Sequence, residues 1–256
     1  MSYCNFKGGI VLKFLYSNYR EMINTLKRNG YNFSGYGDKN ESGKTVILRH
    51  DVDFDLKDAV RMAKLENDMM VKSTYFILLS TDFYNIFSKE SVSEIKKIMS
   101  YGHNVGLHFD EKRYCIHNLE QLEKFIDIEK EIFEKVIQVE IKSVSMHRPS
   151  KLVLDNDVIF KNIINSYSQK YFREYKYISD SRMNWREDVI SCIDSNIHEK
   201  LHILTHPFWY SEEEDTMKGK LLNFINKSKL KRYLSLKDNF RDLDEVIKME
   251  DILDED

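Results

Sequence analysis

Residues 45–53 read TVILRHDVD, an apolar run that ends in charged residues. The apolar part is typical of a buried strand, and the apolar residues that follow recur at helical spacing over 55–68, which predicts an amphipathic helix. A buried strand followed directly by an amphipathic helix is the repeating unit of parallel sheets and of β/α barrels. The sequence therefore predicts an α/β fold.

The same unit recurs along the chain. Helical patterns occupy 92–99 and 118–136, and strand patterns stand at 71–79, 103–108, 141–147, 175–180 and 201–206. With only two prolines and no linker or internal repeat, we expect a single domain over 1–256. Its motif-bearing core runs from about 45 to 210, and residues 211–256 form a C-terminal helical extension with an acidic tail.

Composition excludes several classes of protein. The net charge of the 256 residues is −3, with both signs mixed throughout, so we expect no nucleic-acid partner. Cys4, Cys115 and Cys192 lie far apart, which indicates reduced thiols rather than a disulfide framework. No run reaches membrane-spanning length, and Lys13 interrupts the apolar stretch near the start, so we expect neither an integral membrane segment nor a secretory signal. These features predict a cytoplasmic protein.

Two acidic residues alternate at the end of the first strand. Asp51 and Asp53 are two positions apart, so both side chains project from one face of the strand into one cavity. A bound divalent cation is the commonest way to keep two such carboxylates ionised. The alternative is a structural role, in which Asp53 or Asp55 caps the next helix.

Polar side chains also end the later strands. His108 offers a neutral imidazole ligand, which together with an aspartate makes the mixed N/O site that zinc accepts. Arg148 can orient a carboxylate by a bidentate contact, and Asp180 can hold a histidine in one tautomer. His206 is placed to act as a general acid. Trp185 offers an apolar face to a sugar ring or an acyl group, although a core tryptophan is nearly as common a role.

Five strings carry these residues in order between about Thr45 and Trp209: RHDVD, GHNVGLHFD, SMHRPS, YISDS with Trp185, and LTHP. Together they resemble the polysaccharide deacetylases of carbohydrate esterase family 4, the chitooligosaccharide deacetylase homology domain. They look most like a divergent branch associated with bacterial glycan biosynthesis. The resemblance covers about two thirds of the chain. It implies a distorted (β/α) barrel of about seven strands and a divalent metal cofactor, most often zinc.

The resemblance also implies a role for each matching residue. Asp51 aligns with the catalytic base, Asp53 and His108 with metal ligands, and His206 with the catalytic acid. Two more roles follow from it: Arg148 orients Asp51, and Asp180 supports His206.

One position departs from the family pattern. A second metal histidine is usual four residues after the first, and Lys112 stands there instead. Either His147, Asp110 or Glu111 completes the site, or waters do, or the metal is weak or absent. We favour His147, although strand alternation turns it away from its neighbour Arg148 unless the strand has already ended.

The function that these features predict is removal of an N-acetyl or N-formyl group from a sugar. The expected partner is an N-acylated sugar, or a sugar-nucleotide or lipid-linked precursor of a surface glycan. A noncatalytic glycan-binding or scaffolding protein is the first alternative, and Lys112 favours it, whereas the retained Asp51 and His206 favour an enzyme. A metal-dependent amidohydrolase acting on a non-sugar amide is the second, because fold and metal chemistry do not fix the substrate.

Overall fold

The computed structural model describes residues 12–38 and 43–253. The predictions about Cys4, residues 1–11 and the last three acidic-tail residues therefore lie outside the described residues. The chain divides into two compact units, Met1–Glu212 and Glu213–Asp256. The boundary falls close to the predicted end of the motif-bearing core at about residue 210.

A curled parallel sheet forms the centre of the first unit. Its strands are β1 (Asn32–Phe33), β2 (Thr45–Val52), β3 (Thr74–Leu78), β4 (Asn104–Phe109), β5 (Ser143–Met146), β6 (Ile164–Asn165), β7 (Lys176–Ser179) and β8 (Lys200–Thr205). Seven of them follow the order β6-β5-β4-β3-β2-β8-β7, every pairing is parallel, and β1 adds to the start of β2. The sheet curls into a half-barrel, so the predicted α/β fold of the distorted (β/α) barrel type is confirmed.

Helices connect the strands. They are α1 (Tyr16–Arg28), α2 (Leu56–Asp68), α3 (Lys89–Ser100), α4 (Leu119–Ile137), α5 (Lys151–Leu154) and α6 (Val189–Asp194), with short 3-10 helices at Glu111–Arg113 and Pro207–Trp209 and a π-helix at Lys170–Glu174. The side chains of Asp55 and Asn118 accept hydrogen bonds from Lys57 N and Gln121 N, which caps the starts of α2 and α4. The two strands that the sequence analysis missed, β1 and β6, span two residues each, too few to show a periodicity.

Alternation along β2 decides what faces the inside of the half-barrel. Ile47 belongs to a buried cluster with Tyr36, Phe76, Tyr171 and Tyr175, and it shares its face of the strand with the residues two and four positions later. The packing there is tight, because a Cβ on Gly106 would lie 2.5 Å from the ring of Phe76. The lower interior is therefore filled by side chains, and any site must lie towards the carboxyl ends of the strands.

The second unit is helical. It contains α7 (Met217–Asn239), a 3-10 helix at Leu243–Glu245 and α8 (Glu250–Leu253). The Thr216 side chain caps α7 by accepting from Gly219 N, and Tyr233 Oη donates to Asp244 at 2.5 Å. Among the described helices of both units, none combines the length and the apolar character that crossing a membrane requires.

Candidate metal centre and active site

The carboxyl ends of the parallel strands bring the predicted site residues to one edge of the half-barrel. Asp53, His147, Asp180 and His206 each follow the last residue of a strand directly, and His108 is the penultimate residue of β4. Because parallel strands end at the same edge, side chains far apart in sequence meet there.

Three of these residues form a tight group, which we call the metal-site cluster: Asp53, His108 and His147. Asp53 Oδ1 lies 3.2 Å from His108 Nε2 and 3.2 Å from His147 Nδ1, and the two imidazole nitrogens are 3.3 Å apart. Tetrahedral zinc ligands about 2.1 Å from the metal stand about 3.4 Å from one another, which matches this spacing. Within residues 12–38 and 43–253, this is the one group of His, Cys, Asp or Glu side chains arranged to hold a metal ion.

Hydrogen bonding around the cluster also fits a metal. His108 Nδ1 faces the carbonyl oxygen of Ser145 at 3.2 Å, which places the proton on Nδ1 and leaves the Nε2 lone pair towards Asp53. Asp53 Oδ1 is buried and has no hydrogen-bond partner among the described residues. Burial by itself raises the pKa of Asp53, but the imidazoles of His108 and His147 outweigh it and hold that pKa well below its usual value. The carboxylate is thus charged, buried and open to a ligand.

The structure brings His147, and neither Asp110 nor Glu111, to Asp53 and His108. The objection from strand alternation does not apply, because β5 ends at Met146 and His147 follows it. Asp110 Oδ2 instead accepts a short hydrogen bond from Arg148, and Glu111 Oε1 accepts from Ser150 N at 3.0 Å.

Asp51 is held by a different arginine from the one that the sequence analysis named. Arg49 makes a bidentate contact with it, from Nε to Oδ1 at 2.9 Å and from Nη2 to Oδ2 at 2.8 Å. Burial alone raises the pKa of Asp51, but the Arg49 guanidinium overcomes that effect and lowers the pKa below its usual value. Asp51 therefore stays ionised, with Oδ2 3.5 Å from His108 Nε2.

This contact corrects the role expected of Arg148, which pairs with Asp110 instead. The physical reason is again alternation, since Arg49 and Asp51 are two residues apart on β2 and share a face, whereas Arg148 lies beyond the end of β5. The spacing of Arg49 and Asp51 in RHDVD was a readable signal that the sequence analysis passed over. Arg49 is completely buried, and its guanidinium also donates to Ser145 Oγ and lies over the Tyr167 ring.

His206 pairs with Asp180, as predicted from the sequence. Its Nδ1 lies 2.6 Å from Asp180 Oδ1, its backbone N–H donates to Asp180 Oδ2 at 3.0 Å, and its Nε2 is 4.0 Å from Asp53 Oδ2. Burial lowers the pKa of His206, but the carboxylate of Asp180, with smaller contributions from Asp53 and Asp51, raises it to about 9. The two contacts to Asp180 fix the ring and turn Nε2 towards the metal-site cluster.

Trp185 lies in the loop between β7 and α6, half-buried, and stacks on Phe14 with ring centroids 6.4 Å apart. Its role in binding substrate stays a prediction. A second aromatic group, which the sequence analysis did not single out, stands directly beside the site. Phe54, next to Asp53 in the chain, packs against Phe208 at 4.7 Å and Phe83 at 5.1 Å.

No protein-family model matches the chain, and no curated protein matches it significantly. Several solved structures are similar. A carbohydrate esterase family 4 pseudoenzyme from Bacillus anthracis is 15% identical, with a TM-score of 0.42, over 73% of this chain and 63% of that one. This chain thus spans less than two thirds of that protein's length.

Two further structures give comparable values. A family 4 acetyl xylan esterase from Clostridium thermocellum, in complex with a cobalt ion, is 14% identical with a TM-score of 0.41, over 73% of this chain and 84% of that one. The peptidoglycan deacetylase PdaC from Bacillus subtilis is 12% identical with a TM-score of 0.40, over 78% and 99%. At TM-scores below 0.5, these similarities carry no information on what this chain does.

Proposed function

We propose that the chain is a metal-dependent hydrolase that removes an acetyl or formyl group from the nitrogen of a sugar. The observation that carries this proposal is the convergence of Asp53, His108 and His147 on one point, flanked by an ionised Asp51 and a histidine held by Asp180. The five sequence strings that resemble the polysaccharide deacetylases support the same activity. Asp53, His108 and His147 would hold the metal, with zinc the first candidate.

A divalent cation bound in this cluster supplies Lewis-acid polarisation of the acyl carbonyl and lowers the pKa of bound water. The protein's own groups then move the protons. Asp51, kept ionised by Arg49, accepts a proton from the attacking water, whose oxygen bonds to the acyl carbon. His206 donates a proton to the sugar nitrogen as the carbon–nitrogen bond breaks, and Asp180 keeps the imidazole oriented for that transfer. The products are the free carboxylic acid and the amino sugar.

We further propose that the enzyme works in the cytoplasm on a precursor of a surface glycan. The two cysteines that the structure describes, Cys115 and Cys192, are unpaired, which is the usual state in a reducing compartment. A soluble sugar-nucleotide or a lipid-linked sugar would both be available there.

The noncatalytic alternative loses its main support in this geometry. It rested on Lys112, and His147 supplies a nitrogen at the position where a third ligand is needed. A pure binding module also has no use for a base and an acid on two sides of one metal site. A non-sugar amide remains open as a substrate, and a substrate panel separates it from a sugar.

The test is elemental analysis of protein purified without chelator. We expect close to one divalent ion per chain in the wild type and almost none in an Asp53→Ala, His108→Ala double variant or in His147→Ala. A matched control, Asp238→Ala with His198→Ala, removes the same side-chain types outside the cluster and keeps the metal.

Activity is then followed as acetate or formate released from N-acetylated and N-formylated sugars. Absence of metal from the wild type, even after reconstitution with zinc, contradicts the proposal and supports the noncatalytic alternative. Metal with release from simple amides but from no sugar contradicts the sugar substrate alone.

A further inference from the structure

A cleft with a volume of about 710 Å³ lies among the loops at the carboxyl ends of the strands. The residues that line it come from three loops, after β4, β5 and β7. In sequence, Arg148 follows His147 directly and Arg182 lies two residues after Asp180, so the cleft is built from the same loops as the proposed catalytic groups. Its size is that of cavities that hold small-molecule ligands.

The curl of the half-barrel creates this cleft. In the sheet order, β7 stands at one end, while β4 and β5 lie towards the other. Loops that follow strands so far apart line one cavity only because the sheet bends round and brings their carboxyl ends together. A ligand in the cleft therefore lies across the mouth of the half-barrel.

The walls of the cleft carry more positive than negative charge. Its lining includes Lys112, Arg148 and Arg182 against a single acidic side chain, Glu111. Glu111 is buried, and its Oε1 already accepts from Ser150 N at 3.0 Å. Arg148 pairs with Asp110 but keeps 51% of its side chain exposed.

The other two cations have no such partner. Lys112 and Arg182 are exposed, and neither forms an ion pair with any residue that the structure describes. Cations that line a concave surface raise the local concentration of anions. Because these side chains are exposed, they keep most of their hydration while the cleft is empty. Their convergence calls for a ligand that carries negative charge.

We infer that the substrate is a phosphate ester of an N-acylated sugar, whose phosphate binds in this cleft while the amide lies at the metal-site cluster. A single carboxylate is matched by one guanidinium fork, whereas two cations that are unpaired among the described residues, with the half-exposed Arg148 beside them, suit the charge of about −2 on a phosphate. The inference deepens the proposed function and rests on it for the position of the amide. The cleft itself does not depend on the metal.

The inference also gives Lys112 a role. Its position departs from the family pattern, in which a metal-binding histidine is usual, and His147 provides that nitrogen instead. Lys112 lies in the 3-10 helix Glu111–Arg113 and lines the cleft that the substrate would enter. Where the family pattern has a metal-binding histidine, this chain thus has a lysine whose charge would help to bind an anionic substrate.

The test measures binding of small dianions to the whole chain in the presence of a chelator, so that phosphate on a metal ion is not counted. Inorganic phosphate and malonate are titrated by calorimetry at low ionic strength into the wild type and into a Lys112→Gln, Arg182→Gln double variant. The control, Arg20→Gln with Lys124→Gln, removes the same two charges from exposed positions outside the cleft.

We expect wild type and control to bind phosphate at least about tenfold more tightly than the double variant does, and more tightly than they bind malonate. Equal affinity of wild type and double variant for phosphate overturns the inference. If malonate binds more tightly than phosphate, the assignment of a phosphate group is overturned and the cleft is assigned to a carboxylate ligand. Because the protein is free of metal in this experiment, neither result depends on whether the hydrolysis proposed above takes place.

Discussion

Two buried carboxylates lie on opposite sides of β2 and behave differently. Glu66, on α2, meets the outer face of the strand through His50, whereas Asp53 follows the strand on its inner side, next to His108. The exposed fraction of Glu66 is 0%, and Asp53 keeps 12% of its side chain exposed. In both, neighbouring groups overcome the effect of burial and lower the pKa. Burial and a shifted pKa therefore do not tell the two apart.

Hydrogen bonding does tell them apart. Glu66 Oε1 accepts from Tyr19 Oη at 2.6 Å and lies 2.9 Å from His50 Nε2, while Oε2 accepts from Ser73 Oγ and Tyr75 Oη at 2.7 Å each. We call these five residues the Glu66 network, and within it both carboxylate oxygens are satisfied. Asp53 Oδ1 has no hydrogen-bond partner among the described residues. A closed network stabilises the fold, whereas an open buried carboxylate oxygen keeps the capacity to bind a ligand.

The largest expected effect is on the inner face. Asp51→Asn removes the proposed base and should lower kcat about 10³-fold. It also leaves the buried Arg49 guanidinium without its countercharge, which costs about 3 kcal/mol of stability. Activity on the preferred sugar and the free energy of unfolding in urea are measured together.

A second variant separates these two effects. Arg49→Met combined with Asp51→Asn removes both charges, so part of the lost stability should return while the activity stays low. If activity returned together with stability, Asp51 would have no catalytic role and its pairing with Arg49 would be purely structural.

On the outer face of β2, a substitution should change the free energy of unfolding. Glu66→Gln places an amide donor among hydroxyl donors in the closed network and should cost about 3 kcal/mol, whereas Asp53→Asn loses its ion pairs with His108 and His147 and should cost less than Glu66→Gln without metal. Added zinc should raise the free energy of unfolding of the wild type and should leave that of Asp53→Asn unchanged. Equal losses in the two variants would remove the distinction between the closed and the open carboxylate.

The pH dependence sharpens this contrast. Charged and hydrogen-bonding neighbours lower the pKa of Glu66 from 4.5 to about 2 in the folded protein. A lowered folded pKa stabilises the fold above the unfolded value, and this contribution is lost as the pH falls towards 2. The stability difference between wild type and Glu66→Gln should therefore be full at pH 6 and shrink progressively below about pH 4.5, as measured by urea unfolding. A difference independent of pH would mean that the Glu66 charge contributes nothing.

The smallest effect on stability should come from Arg148. Its ion pair with Asp110 lies at the surface with 51% of the arginine side chain exposed, so Arg148→Gln should change the free energy of unfolding by less than about 1 kcal/mol. It should also leave the pH profile of kcat unchanged, because Arg49 and not Arg148 holds Asp51. A shift of that profile in Arg148→Gln would restore the role first read from the sequence.

Much of this arrangement was readable in the chain. The apolar runs located the main strands, and the polar residues at the ends of the predicted strands, Asp53, His147, Asp180 and His206, indicated a shared site at one edge. Two-residue alternation also related Asp51 to Asp53. These inferences succeed because strand periodicity and the common edge of parallel strands follow from local backbone geometry.

The tertiary structure alone decided which partners meet. Arg49 rather than Arg148 holds Asp51, His147 rather than Asp110 or Glu111 joins the metal-site cluster, and Lys112 and Arg182 share a cleft although 70 residues separate them in sequence. Each outcome depends on where a strand ends and how far the sheet curls, which are long-range properties of packing. By itself, the sequence determined the fold class and the polar residues at the carboxyl edge of the sheet; their pairing, and the cleft formed by the loops that follow, came from the curl of the half-barrel.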